Sequence, residues 1–311
     1  MKEKGDAVIF ISHDLEELKS VCDIVTVMRD GEYITTLTGN EITVDSMRKN
    51  MIGRELTGGY YRQDYEDTSD HDKVVLEAKH ICLGNRLNDV SLKLHKGEIL
   101  GIGGLTDCGM HDLIKVMFGL LKPDSGKVVL TEQNIEIKSP EIAVRNKMGY
   151  IPKDRESEGL MLAASIRDNI NMMSMDKIKK GFLITPHATT KLAKEQVKML
   201  SIKIGGLNLP VSSLSGGNKQ KVAIAKCTAN DVQIVLMDCP TRGIDIGVKA
   251  AIYRLLEQFK REGRSVLMVS EELPELIGMS DNLLIMRDGR ITGKIKRSSE
   301  VSESDVINKM I

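Results

Sequence analysis

The chain has 311 residues, with 44 basic and 44 acidic side chains and a formal charge of zero. This balance excludes a bulk attraction to nucleic acid or to an anionic membrane, and no apolar run approaches the ~18 residues of a membrane-spanning helix. Five cysteines at irregular spacing, without a Cys-x-x-Cys pair, argue against a disulfide framework or a zinc site and favour a reducing compartment.

Two segments far apart in the chain repeat one another. Residues 12–31 align without a gap onto residues 270–289, with nine of twenty positions identical. Both copies continue into a stretch that closes on Met-Ile. A period of this length indicates domain duplication. We therefore expect one nearly whole domain, preceded by the last part of an earlier copy.

The predicted domain organisation follows from this repeat. Residues 1–56 are expected to be the C-terminal remnant of the first copy, and residues 74–311 the complete second copy. Residues 57–73 are rich in Gly, Asp and Tyr and have no helical or strand periodicity, which predicts an exposed linker.

The second copy begins with short strand patterns. Period-two runs in VVLEAKHICL, NDVSLKLHKG and KVVLTEQNIEI predict a small antiparallel layer. GEILGIGG predicts an apolar strand that runs into glycines, and DLIKVMFGLL predicts the amphipathic helix after it. Residues 186–202, rich in Lys and Ala, predict another helix.

Further along the chain, a strand, helix and strand follow one another. Residues 234–238 and 265–270 are apolar runs of the length of buried parallel strands, and KAAIYRLLEQFKREG between them has a helical stripe. This is the pattern of a βαβ unit. Together with the glycine turn, it predicts an α/β nucleotide-binding core with a mainly parallel sheet.

The most specific motif is a serine and two glycines that open a helix. Small residues there leave the first backbone N–H groups bare, and the helix dipole favours an anion, so the motif suits a phosphate. A glycine-rich turn without a ligand is the alternative for the motif on its own. The motif consists of Leu214, Ser215, Gly216, Gly217, Asn218, Lys219, Gln220 and Lys221.

With the apolar strand that ends at Asp238, these residues resemble the ATP-binding cassette (ABC) proteins. LSGGNKQK corresponds to the family signature, and residues 234–238 to its Walker B strand. CPTRGIDIGVKAAIY, MIGREL and SEELPELIGMSD resemble, more narrowly, the tandem ATPase subunits of bacterial importers of ribose and galactose type. The resemblance covers the whole chain. It implies an α/β P-loop NTPase core of ABC type, with a mainly parallel sheet, a small antiparallel layer and a helical subdomain inserted at about residues 154–213.

The resemblance also implies a phosphate loop of the form GxxxxGK[ST], from which this chain departs. Met110 stands in the lysine position, His111 stands in the hydroxyl position, and Asp107 adds a negative charge that opposes a polyphosphate. The backbone N–H groups of the loop could still hold a phosphate weakly. The nucleotide-binding positions of this degenerate Walker A loop are Gly104, Thr106, Asp107, Cys108, Gly109, Met110 and His111.

Three further positions depart from the family pattern. Cys239 follows the Walker B residue Asp238, a weak Mg²⁺ ligand by itself, where the family has a catalytic glutamate. Glu271 stands in the switch-histidine position, although the first copy keeps the expected His13. Lys153, in the glutamine-loop position, cannot coordinate Mg²⁺. Cys239 as a nucleophile has no partner readable nearby, so a small buried residue is the favoured interpretation.

In the family, two cassettes face each other head to tail, and each ATP lies between the phosphate loop of one cassette and the signature of the other. The signature and the loop containing Gly243 and Asp245 therefore serve the opposite cassette. We expect a unit that does not hydrolyse ATP at its own site but completes the ATP and Mg²⁺ site of an intact first cassette.

The resemblance implies membrane permease subunits as partners and, indirectly, a sugar-binding protein, with no nucleic acid. It also implies a peripheral location on the cytoplasmic face of the plasma membrane. The alternative is a non-catalytic interaction or regulatory module, or the expressed remnant of a split gene.

Overall fold

The computed structural model describes residues 7–310 except 13–14, 30, 53–59, 66–68, 180 and 182. His13 therefore lies outside the described residues. The chain divides into two compact units, Met1–Tyr60 with Ile244–Ala251, and Tyr61–Gly243 with Ile252–Ile311. Within the described ranges, none of the helices combines the length and apolarity that a membrane crossing requires.

The described residues of the first unit include two helices and a two-stranded antiparallel sheet, besides the start of a further helix at Ile246. The two helices and two strands are α1 (Leu15–Val21), β1 (Ile24–Arg29), β2 (Glu32–Thr38) and α2 (Val44–Ile52). Apolar side chains of all four elements, such as Leu18, Val27 and Met47, are buried together in one cluster.

The remaining elements follow in chain order. The strands are β3 (Asp70–Leu83), β4 (Leu87–Lys96), β5 (Ile99–Gly104), β6 (Ser125–Leu130), β7 (Ile135–Glu136), β8 (Met148–Ile151), β9 (Ile234–Asp238), β10 (Ser265–Val269), β11 (Asn282–Arg287) and β12 (Arg290–Lys296). The helices are α3 (Met110–Phe118), α4 (Pro140–Arg145), α5 (Ile166–Asn171), α6 (Met175–Ile178), α7 (Pro186–Met199), α8 (Gly216–Thr228), α9 (Ile246–Arg261), α10 (Leu273–Met279) and α11 (Glu303–Met310).

Two sheets form the second unit. The larger one has the strand order β12-β11-β5-β10-β9-β8, and all its neighbouring strands are parallel except β11 and β12. The smaller one is antiparallel, with the order β4-β3-β6-β7. These sheets confirm the predicted α/β core, its mainly parallel sheet and its antiparallel layer.

The register of the central strands positions the candidate site. Val269 of β10 pairs with Asp238 of β9, so the two parallel strands end side by side. Ile102 of β5 pairs with Val269 as well, and the glycine loop follows two residues further on. Because parallel strands present their carboxyl ends at one edge of the sheet, the residues just beyond these strands converge there.

Helices within residues 154–213 share an apolar core with α8. Ile166 and Ile170 of α5 pack with Leu192 and Ala193 of α7 and with Val222 of α8. The helix predicted over residues 186–202 is α7, which ends three residues earlier, at Met199. Thr185 caps this helix, because its hydroxyl accepts a hydrogen bond from the backbone N–H of Ala188.

The predicted exposed linker differs from the structure at both of its described ends. Its last residues are already strand, because β3 begins at Asp70. At its start Arg62 is only 2% exposed. The Arg62 guanidinium lies 2.9 Å from the buried carboxylate of Asp281, which also accepts from Lys260 Nζ at 2.6 Å. The polar composition of the segment concealed this anchor, since the buried partner Asp281 lies near the other end of the chain.

We expect Arg62→Ala to lower the free energy of unfolding by about 3 kcal/mol, the lower end of the range for breaking a buried ion pair, because Lys260 remains beside Asp281. Urea unfolding measures the loss. The matched control is Arg167→Ala, which removes an exposed pair with Asp168 and should cost about 1 kcal/mol or less. Equal losses in the two variants would contradict the anchoring role.

Candidate nucleotide site

The glycine loop after β5 has the backbone of a phosphate cradle. Gly109 has a φ of +96°, and a Cβ atom at this position would lie 2.4 Å from the carbonyl oxygen of Arg86. Only glycine fits both conditions. Helix α3 begins at the next residue, Met110. The loop therefore keeps the geometry that directs the first N–H groups of a helix towards an anion.

The side chains of the loop do not supply a positive charge. Met110 is fully buried in the main apolar core, whereas Thr106 and Asp107 are exposed. Cys108 is buried, and desolvation raises the pKa of its thiol. The loop can offer backbone N–H groups to a phosphate, together with one exposed carboxylate that repels it.

Four polar side chains form one hydrogen-bonded network at the start of α3 and at the carboxyl ends of β8, β9 and β10. His111 Nδ1 lies 2.7 Å from Asp238 Oδ1, and Lys153 Nζ lies 3.1 Å from His111 Nε2. Lys153 Nζ also lies 2.6 Å from Glu271 Oε1. An imidazole that donates from Nδ1 to Asp238 and accepts at Nε2 from Lys153 satisfies these two contacts. The hydrogen bond from Lys153 lowers the pKa of Glu271.

Cys239 comes directly after Asp238, the residue of this network in the Walker B position. It is buried, has a φ of +47°, and donates its backbone N–H to the carbonyl oxygen of Val269 at 2.8 Å. Desolvation, together with the neighbouring Asp238 carboxylate, raises the pKa of its thiol to about 12. The thiol is therefore protonated near neutral pH and is a poor nucleophile or base.

The structure brings together residues that sequence spacing kept apart. The sequence offered no histidine partner for Cys239, and its cysteine spacing argued against a zinc site. In the structure, ligand atoms of His111, Asp238 and Cys239 lie within 4.8 Å of one another. A contact across more than a hundred positions leaves no spacing signal, so a search for nearby ligand pairs could not find this cluster.

These residues do not fit Mg²⁺. Mg²⁺ requires near-octahedral oxygen ligands, whereas the donors here include an imidazole nitrogen and a thiol sulfur. The ammonium of Lys153 also lies within hydrogen-bond distance of His111 and Glu271, where it would oppose any divalent cation, and Mg²⁺ would gain only one oxygen ligand type from the cluster in return. Asp238 is the only member of the cluster of the type that Mg²⁺ prefers.

The signature residues lie at the N-terminus of α8. Ser215 precedes the helix and is exposed, and its hydroxyl accepts from Asn218 Nδ2 at 3.0 Å. Asn218 Oδ1 in turn accepts from the backbone N–H of Lys203. Gly217 and Gln220 are buried, and Leu214 is half-buried. The hydroxyl hydrogen of Ser215 thus remains available to an acceptor in front of the helix.

Arg155 connects the signature to the loop after Cys239. Its guanidinium donates to the carbonyl oxygens of Arg242 and Gly243, at 2.8 and 3.3 Å. The same group lies 3.0 Å from the place where a Cβ atom on Gly216 would stand. Sequence reasoning gave Arg155 no role, because the positive charge alone did not reveal which carbonyl groups it binds.

Asp245, the last of the predicted loop residues, is described within the first unit. It is exposed, and its carboxylate accepts from the backbone N–H of Val248 at 3.0 Å. This contact caps the start of α9. The described contacts of Asp245 therefore have a structural explanation, and its nucleotide-binding role stays a prediction.

A buried carboxylate that the sequence did not single out joins two of these segments. Glu275 is fully buried and accepts from Thr241 Oγ1 at 2.7 Å and from the hydroxyl of Ser270. Thr241 belongs to the loop after β9, and Ser270 precedes Glu271. Because a buried carboxylate without partners is costly, this pairing fixes the two segments relative to each other.

The chain belongs to the ABC transporter family, whose model matches residues 87–242, half of the chain. It is 36% identical over 304 residues to a ribose import ATP-binding protein RbsA of Bacillus cereus, an alignment that covers 98% of this chain and 61% of that protein. The RbsA of Halalkalibacterium halodurans is 37% identical over 308 residues, 99% of this chain and 61% of that protein. The chain thus spans about three fifths of the length of these curated relatives.

Solved structures share the fold. The dimeric ATP-binding cassette MJ0796 bound to ADP and phosphate superposes with a TM-score of 0.64 at 23% identity, covering 72% of this chain and 99% of that one. The ADP conformation of the cassette MJ1267 gives a TM-score of 0.63 at 21% identity, covering 76% of this chain and 98% of that one. At such identities, the likeness establishes the cassette fold alone.

Proposed function

We propose that this chain is the C-terminal part of the ATP-binding subunit of an ABC importer for ribose or a related simple sugar. Family membership and the two ribose import relatives support this assignment. In this proposal residues 1–56 are the end of a first cassette, and residues 74–311 are a second cassette with a helical subdomain at about residues 154–213. The partners are an intact first cassette, permease subunits and, indirectly, a sugar-binding protein, at the cytoplasmic face of the plasma membrane.

The proposed cassette is asymmetric: it contributes to a partner's ATP site and not to hydrolysis at its own. The observation that carries this proposal is the chain of contacts from Asp238 through His111 and Lys153 to Glu271. It occupies one oxygen of the Walker B carboxylate, and it places a lysine ammonium where a magnesium ion would need oxygen ligands. Cys239 provides no carboxylate to activate water.

Ser215 and the loop that contains Arg242 and Gly243 are the groups that would serve a partner's ATP site. Ser215 keeps an exposed position at the start of α8, and Arg155 holds the adjacent loop through Arg242 and Gly243. A helix of thirteen residues presents its positive dipole end here. We infer that this surface receives the terminal phosphate of an ATP whose Mg²⁺ and phosphate loop belong to the first cassette.

Weak nucleotide affinity at the chain's own loop is the direct test of this asymmetry. With ATP at ~1 mM and a Kd near 1 mM, we expect a stabilisation of only about 0.4 kcal/mol, against about 4 kcal/mol for a Kd near 1 µM. Differential scanning fluorimetry with ATP, with and without Mg²⁺, measures the shift in Tm. The matched ligand control is sodium sulfate at equal ionic strength. A large ATP-specific shift that grows with Mg²⁺ would contradict the proposal.

A further inference from the structure

We propose that His111, Asp238 and Cys239 form a binding site for a thiophilic divalent cation, with Zn²⁺ as the ion that this donor set fits best. One nitrogen, one oxygen and one sulfur ligand atom lie within 4.8 Å of one another. Asp238 is fully buried, Cys239 is buried, and His111 is partly exposed, so the cluster can be reached from one side. This inference is independent of the proposed transport function.

A second observation points to a missing positive partner. Asp238 Oδ1 contacts His111, but no donor among the described residues reaches Asp238 Oδ2, which is buried. A buried carboxylate oxygen without a hydrogen bond is costly, and such atoms in native proteins commonly mark a ligand or ion. A cation placed between Asp238, His111 and Cys239 would use this oxygen.

The donor chemistry selects the class of metal. Imidazole nitrogen, thiolate sulfur and carboxylate oxygen are the three ligand types of protein zinc sites, whereas Mg²⁺ and Ca²⁺ take oxygen ligands. Three protein ligands leave the fourth tetrahedral position to water, as in open zinc sites. A metal bound at His111 Nδ1 would replace the hydrogen bond that this nitrogen makes to Asp238 Oδ1 at 2.7 Å.

The side chains around His111 and Cys239 can accommodate the proton transfers that metal binding requires. When Nδ1 of His111 binds the metal, its proton moves to Nε2, which lies 3.4 Å from Glu271 Oε1. A carboxylate behind a metal-bound histidine is the usual orienting partner. Lys153 can lose its contact with His111 and retain its ion pair with Glu271. The Cys239 thiol releases its proton to solvent as the sulfur–metal bond forms.

The test is titration of the purified full chain with Co²⁺ and Zn²⁺ alone. We expect one equivalent of Co²⁺ to give the intense visible bands of a tetrahedral site and a near-ultraviolet thiolate-to-cobalt band, both displaced by Zn²⁺. Cys239→Ser should abolish the thiolate band, and His111→Gln should weaken Kd by more than the ~10–100-fold that loss of an outer-shell partner costs. Lys153→Met should tighten binding, since it removes a nearby cation.

Matched controls separate this site from adventitious binding. Cys82→Ser changes a half-buried thiol elsewhere, and His187→Gln changes an exposed imidazole, so both should leave the cobalt spectrum unchanged. Circular dichroism checks folding, and His111→Gln remains decisive if Cys239→Ser does not fold. The absence of saturable binding by the wild-type chain overturns the proposal. So does zinc binding that keeps its affinity in both Cys239→Ser and His111→Gln.

Discussion

The purified chain is expected to hydrolyse ATP no faster than a protein-free blank. The residue after the Walker B strand is a buried thiol whose pKa is raised to about 12, and loss of a general base alone removes about 10²–10⁴ in rate. Met110 is buried in the core and brings no charge to the phosphate, which reduces the rate further. Phosphate release at saturating ATP and Mg²⁺ measures the effect.

Asp238→Asn provides the control for this result. If the wild-type chain shows turnover that Asp238→Asn abolishes, the site is a working ATPase and the hydrolysis-deficient assignment is wrong. Turnover that Asp238→Asn leaves unchanged comes from a contaminant, and it leaves the expected result in place. Cys239→Glu should not restore activity by itself, because His111 still contacts Asp238 and Lys153 still contacts His111.

The second large effect is expected in trans. Addition of the chain to a matching intact first cassette with its permease should stimulate ATP hydrolysis, and Gly217→Asp should abolish that stimulation. Gly217 lies in the first turn of α8 and is buried, so an aspartate there adds bulk and negative charge where the helix dipole should attract a phosphate. Phosphate release with fixed first cassette and increasing amounts of this chain measures the stimulation.

Gln133→Asp is the matched control for charge, because it places the same side chain in the exposed turn between β6 and β7. It should stimulate as well as the wild-type chain. Equal stimulation by the wild type and Gly217→Asp would instead make the signature a structural relic. The interaction-module or remnant alternative would then be favoured over a role in a shared ATP site.

Local patterns in the sequence predicted most of the elements that position the site. The apolar run that became β9 and the run that became β10 are continuous because both faces of a parallel strand are buried, and the helical stripe between them became α9. The glycines of the phosphate loop and of the signature are also local signals, since each reflects the conformation or packing of its own turn. Fold class could therefore be read without tertiary information.

Local patterns did not predict the boundaries and the solvent exposure of the segment expected to be a linker, residues 57–73. Arg62 is buried because Asp281 and Asp64 pair with it, and composition alone describes such a residue as solvent-exposed. The burial of Met110 is a comparable case. Its position in the motif predicted that the loop lacks the lysine charge. Only packing determined that the Met110 side chain lies in the apolar core.

The sequence by itself determined the α/β cassette fold, and it predicted an intact signature and a substituted phosphate loop, because these properties depend on residue type and short spacing. Only the tertiary structure decided what the substituted residues do together. His111, Lys153, Asp238 and Glu271 come from four separate segments, and hydrogen bonds and charge pairing act over a few ångströms of space whatever the distance along the chain. Their joining into one network with an orphaned carboxylate oxygen is therefore a property of the fold.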